Sequence, residues 1–155
     1  MSPLEYLKND KLISRQTQRR IQMEIKLNFD CKYYGAIPES ANFGGIYLVY
    51  ANLLTNRDSW TLLDIGQSQN IYERHVGHER KQQWIDYAKA HNCELVYFAA
   101  KISNENMYRD IAEAALLYKW QPKCSTDGKE GYHHGDVKIV LTGFFNCTVD
   151  ARNTD

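Results

Sequence analysis

The chain lacks most of the features that would commit it to a special environment. Its four cysteines, Cys31, Cys93, Cys124 and Cys147, lie far apart and no two share a CxxC spacing. That rules out the short paired spacings of zinc ribbons and redox pairs, and a disulfide framework belongs to short, cysteine-dense chains. Free thiols in a reducing compartment are expected. No apolar run approaches the ~20 residues that a membrane-spanning helix needs. The first ten residues hold Glu5, Lys8 and Asp10 where a secretory segment would be apolar. A cytoplasmic protein with no membrane segment is the expectation. Net charge is missing too: 19 Lys and Arg balance 19 Asp and Glu, so any case for nucleic acid must rest on local patches. Internal repeats and low-complexity tracts are absent. The adjacent pair His133 and His134 is weak evidence for zinc, because such pairs are usually solvated loop residues.

What is present is an ordered succession of strand and helix signals. Lys11, Arg15, Arg19, Arg20 and Lys26 face only Glu24 within residues 11–26, the most basic stretch in the chain. Arg15, Arg19, Arg20 and Lys26 are therefore the candidate nucleic-acid contacts, of the kind that bind phosphates and weaken with salt. In residues 20–29, RIQMEIKLNF, Ile21, Met23, Ile25, Leu27 and Phe29 recur with a period of two, which favours a half-buried strand. Gly35, Pro38 and the pair Gly44 and Gly45 then break structure. We divide the chain there into an N-terminal extension (1–43), a main domain (44–125) and a C-terminal extension (126–155), in which DVKIVLTG can add one strand.

Within the main domain, GIYLVYA and WTLLDIG are β-rich and should pair antiparallel. Asn70 with Glu73 three residues later resembles a capping box, opening a helix expected to run to about Lys81. WIDYAKAHN reads as a second helix and ELVYFAAK as a third strand. Ser103 can cap a helix reaching about Trp120, which Pro122 stops. The fold class expected is α/β: a small single domain with a short central sheet flanked by helices.

Some residues exceed what these elements need. Arg74 and His78 are four apart, so on one helix both would project from the same face. Glu113 shares an i, i+3, i+4, i+7 row with Leu116, Leu117 and Trp120, an unusual place for a carboxylate, and one a hard divalent cation would suit. Arg109, one turn earlier, could form an i, i+4 ion pair with it. Tyr47 shares a strand face with Val49, opposite Ile46, Leu48 and Tyr50.

Together these residues resemble the GIY-YIG nuclease family. GIY stands as Gly45, Ile46 and Tyr47, and the second motif as Asp64, Ile65 and Gly66. GQSQNIYERHVGH follows with a polar cap and then arginine and histidine, and IAEAALLYKWQPKCS resembles the helix that bears the family's glutamate. The likeness covers residues 44–125. It implies a metal-dependent endonuclease that hydrolyses nucleic-acid phosphodiester bonds, DNA in preference to RNA, with Mg²⁺ or Mn²⁺ as cofactor. Glu113 would hold the metal, Arg74 would grip a phosphate oxygen, and Tyr47 would accept the proton of the attacking water with help from His78. Two positions depart from the pattern: Asp64 stands where the family has a tyrosine, and Ser125 where an asparagine is common. Asp64 could serve as a second metal ligand. Alternatively, Asp64 and Ser125 mark a catalytically inactive module that binds nucleic acid or a protein. Breaking both strands of a duplex would call for two copies to pair as a homodimer.

Overall fold

The computed structural model describes residues 23–102 and 106–155. Arg15, Arg19, Arg20 and Ser103 lie outside them. Among the described residues, seven strands and three helices follow in the order β1 (Met23–Phe29), β2 (Cys31–Tyr34), β3 (Gly45–Leu53), β4 (Trp60–Ser68), α1 (Ile71–Val76), α2 (Lys81–Ala90), β5 (Cys93–Lys101), α3 (Asn106–Trp120), β6 (Val137–Gly143) and β7 (Cys147–Ala151). The fold is α/β.

The strands form two sheets rather than the one expected: a four-stranded sheet ordered β2, β5, β3, β4 and a three-stranded sheet ordered β1, β6, β7. β3 pairs antiparallel with both β4 and β5. One face of this sheet carries Tyr47, Val49, Leu63 and Tyr97 against Ile71 of α1 and Trp84 and Ala88 of α2. The other carries Ile46, Leu48, Ile65 and Phe98 against α3 and the three-stranded sheet. The alternation of β3 thus feeds two cores, as a strand period of two demands.

The segments outside 44–125 are built into these cores. β2 extends the four-stranded sheet beside β5. Ile25, Leu27 and Phe29 of β1 are buried while Lys26 between them is exposed. Full burial of Leu27 and Phe29 contributes roughly 1.5–3 kcal/mol each. β6 pairs parallel with β1, and β7 closes the sheet antiparallel to β6.

The helix expected from Asn70 to Lys81 is two elements. Asn70 does cap α1, accepting from the Glu73 amide at 3.1 Å, but α1 ends at Gly77, a poor helix former. His78 Nδ1 then accepts the Arg80 amide at 3.0 Å, a local bond that competes with helical continuation. α3 ends where expected, with Gln121 in the left-handed region (φ 51°) before Pro122. The four cysteines are free, and His133 and His134 are exposed. Among the described residues, no helix is long and apolar enough to cross a membrane.

Candidate active site

Gly66 sits directly across from Tyr47 in the β3–β4 pairing. A Cβ at Gly66 would come within 2.1 Å of both Tyr47 Cζ and Oη, so the missing side chain lets the tyrosine ring lie across β4. Since β4 is the last strand of its sheet, the phenol reaches the sheet edge. Glu113, on α3 against the opposite face, reaches the same edge. The two therefore share one pocket of about 310 Å³, lined also by Gln67, Arg74, Arg80 and Ser125. Gly66→Ala should push Tyr47 off this edge and lower the melting temperature by several degrees, as overpacking by about 1–3 kcal/mol does. Thermal denaturation would detect it, and an unaltered melting temperature would contradict the packing described.

Tyr47 is about 1% exposed, and its Oη lies 3.0 Å from His78 Nε2. Because His78 Nδ1 accepts the Arg80 amide, the ring proton of a neutral imidazole belongs on Nε2, which then donates to Tyr47 Oη. Burial, with Arg74 and Arg80 nearby, lowers the His78 pKa to about 4, so the ring is neutral at pH 7. Glu79 Oε2, 3.8 Å from Nδ1, consequently makes no ion pair with it at that pH. Burial also raises the Tyr47 phenol above its ordinary value, while Arg74 acts in the opposite direction. His78 supports the phenol oxygen as a donor, from the turn after α1 and not from a shared helix face with Arg74.

Arg74 lines the pocket, and its guanidinium forks onto Glu79 with two 2.9 Å bonds. Arg74 in turn holds the exposed Glu79 carboxyl down at about 2. Glu113 is half-buried, and loss of solvent raises its pKa to about 7 against the partial relief of the Gln67 backbone amide. In place of the ion pair envisaged with Glu113, Arg109 Nε donates to Gln67 Oε1 at 3.1 Å, and Gln67 Nε2 donates to Asp110 Oδ1 at 2.9 Å. Gln67 thereby ties the end of β4 to the first turns of α3 and sets where Glu113 emerges.

Asp64 does not line the pocket. It is fully buried and accepts five hydrogen bonds: Arg80 Nε at 2.6 Å, Arg80 Nη2 at 3.2 Å, Trp84 Nε1 at 3.0 Å, Ser125 Oγ at 2.6 Å and its neighbour's amide, Ile65 N, at 2.9 Å. A carboxylate offers about four lone-pair positions, so none is left for a metal. The second-ligand role raised for Asp64 is not what this geometry offers. A register shift beside Val49 leaves Leu63 unpaired between Leu62 and Asp64, so Leu63 and Asp64 both turn toward the helical side. Segment 123–124 follows the edge of β4, with Lys123 N to Leu62 O and Cys124 N to Leu63 O, and delivers Ser125 to Asp64. The two departures from the family pattern are thus one contact, and together they position Arg80 at the pocket.

Arg80, Gln67 and Glu79 were not singled out from the sequence. The signal available was Asp64 itself, since a carboxylate within an apolar strand needs a cationic partner. Lys26 lies exposed on β1.

A Mg²⁺ or Mn²⁺ ion keeps several waters and takes one or two carboxylates together with substrate phosphates. Glu113 fits that demand as a half-buried carboxylate whose charge lacks full compensation, and Asp127 lines the same pocket. No cluster of three or more His, Cys, Asp or Glu suited to an all-protein metal cage occurs among the described residues. No protein-family model, curated protein or solved structure matches this chain.

Proposed function

We propose that the chain is a metal-dependent endonuclease of the GIY-YIG type, hydrolysing phosphodiester bonds with DNA as the preferred substrate. The observation that carries this reading is the meeting of Tyr47, Arg74 and Glu113 in one polar pocket across Gly66. Phosphodiester hydrolysis needs a base for water, positive charge on the phosphoryl oxygens and support for the leaving group.

Tyr47 is the base, acting as phenolate. Burial is the larger influence and keeps the phenol protonated in the free protein, while the Arg74 charge and the His78 Nε2 hydrogen bond favour the phenolate. Arg74 grips a phosphoryl oxygen once the substrate displaces Glu79 from its fork. Arg80, with its charge partly balanced by Asp64, adds a second guanidinium on the same wall without demanding a free carboxylate beside the phosphate. Glu113 would hold Mg²⁺ or Mn²⁺, which when bound shields the phosphate and stabilises the leaving oxygen.

The test is nicking of a supercoiled plasmid with Mg²⁺ or Mn²⁺ against an EDTA control. Tyr47→Phe keeps the ring over Gly66 and removes the hydroxyl, and should lower the rate by roughly 10²–10⁴-fold. Because Glu113 must lose its proton to hold the metal and its carboxyl is raised to about 7, the metal concentration giving half-maximal nicking should rise as pH drops through 7, approaching about tenfold per unit below it. Absence of metal-dependent nicking by the wild type would refute the reading.

A further inference from the structure

A second cavity of about 310 Å³ opens where the β6–β7 turn packs on the four-stranded sheet, lined by Lys32, Tyr50, Trp60, Phe98, Phe144 and Phe145. Trp60 opens β4 and Gly66 lies six residues further along, so this cavity is about 20 Å from the pocket at the other end of the strand. Its aromatic surface is unusually wet: Phe144 is 55% exposed and Trp60 38%, with Tyr34 beside them at 58%. Large exposed apolar side chains gathered in one place mark an interaction surface.

The charge at its centre narrows the occupant. Lys32 Nζ lies 5.2 Å from the Tyr34 ring centroid, 5.3 Å from Trp60, 5.6 Å from Phe98 and 5.4 Å from Phe144. Among the described residues it forms no salt bridge. With the chain's own ammonium in the aromatic box, a methylated ammonium or an arginine-rich peptide would meet like charge there. A ligand that is anionic and planar satisfies both the cation and the ring faces. A nucleotide is such a ligand, but in a duplex its base is paired and stacked and cannot lie on a protein ring.

We infer that this groove is a stacking platform for an unpaired base of single-stranded nucleic acid, with Lys32 contacting the adjoining phosphate. Substrate then extends along β4 from the catalytic pocket to the platform, and its preferred form carries a single-stranded flank. This placement rests on the nuclease reading, whereas the binding itself does not.

The two are separated by measuring binding without metal. Fluorescein-labelled oligothymidylate is titrated with the full chain in EDTA, followed by anisotropy and by quenching of tryptophan fluorescence. Wild type should bind, and Trp60→Ala and Phe144→Ala should each weaken binding by roughly tenfold or more, the usual loss for one stacked base. Trp60→Phe, which keeps a ring face, should restore most of it, and Phe144 is exposed enough that its replacement leaves the core intact. Lys32→Gln should weaken binding and reduce the salt slope by about 1. Variants that bind oligothymidylate as tightly as wild type, or a wild type that does not bind it, would overturn the proposal even if nicking is observed. A homodimer that Phe144→Ala dissociates, with no oligonucleotide binding, would assign the groove to a second copy of the chain and overturn it equally. Oligonucleotide binding lost in the variants, without nicking by wild type, would leave the platform standing and remove the nuclease.

Discussion

Glu113→Gln should abolish metal-dependent cleavage and, at pH 8, leave the protein more stable than wild type. Both effects follow from one property: burial raises the carboxyl to about 7, so ionising it in the folded state works against folding. The group's folded pKa lies above its unfolded value near 4.5. The penalty is therefore absent below about pH 4.5, where both states hold the proton, grows as pH rises, and is complete above 7. With allowance for water at the pocket mouth it amounts to about 2 kcal/mol. Glutamine keeps the shape without the charge, so the melting temperature should rise by about 5 °C at pH 8 and the advantage should vanish near pH 4. Millimolar Mg²⁺ or Mn²⁺ should raise the melting temperature of wild type and not of Glu113→Gln, more strongly at pH 8 than at pH 6. Cleavage that survives this substitution at full rate would remove the role given to Glu113. Equal melting temperatures at pH 8 would remove the energetic account of its burial.

Asp64→Asn should have the larger effect on stability, in the opposite direction. The substitution removes the charge partner of Arg80 and presents an amide group to some of the five donors that now meet a carboxylate. Breaking a buried ion pair from one side costs about 3–5 kcal/mol, and the partial exposure of Arg80 favours the lower figure. A fall of about 10 °C in melting temperature is expected. The metal concentration giving half-maximal nicking should stay within a few-fold of wild type, because Asp64 has no lone pair left for a cation. A stable Asp64→Asn variant that needs far more metal would instead make Asp64 a ligand. Asp64→Tyr combined with Ser125→Asn, which would place at both positions the residues of the GIY-YIG pattern, should unfold the protein rather than improve it. A fully buried site that fits a carboxylate has no room for a phenol ring.

The central hairpin, the cap at Asn70 and the stop before Pro122 were legible because each is set by residues close in sequence. The two faces of β3 were legible as well, since alternation is local. The second sheet was not. It requires β1 and β6 to meet in parallel, and no short-range pattern encodes which distant strand will be a partner. The break in the 71–81 helix depends on a histidine ring accepting an amide two residues on, which competes with helix formation only once the ring is packed against Trp84 and Tyr47. Arg80 was passed over for the same reason: its importance lies in a carboxylate on β4, sixteen positions away in sequence. Helical spacing brought Arg74 and His78 to attention together, yet it is the turn after α1 that delivers His78 to Tyr47.

The parallel pairing of β1 with β6 also bears on how the chain is made. Asn28 and Thr142, joined through their side chains, are 114 positions apart. Bringing such distant segments together loses loop-closure entropy before any contact rewards it, which slows folding. During synthesis Ile25, Leu27 and Phe29 are made before any residue of β6, the strand that pairs with them among the described residues. The apolar row of β1 is therefore uncovered by its parallel partner while the residues between them are being made, an interval in which a neighbour's strand can compete for it.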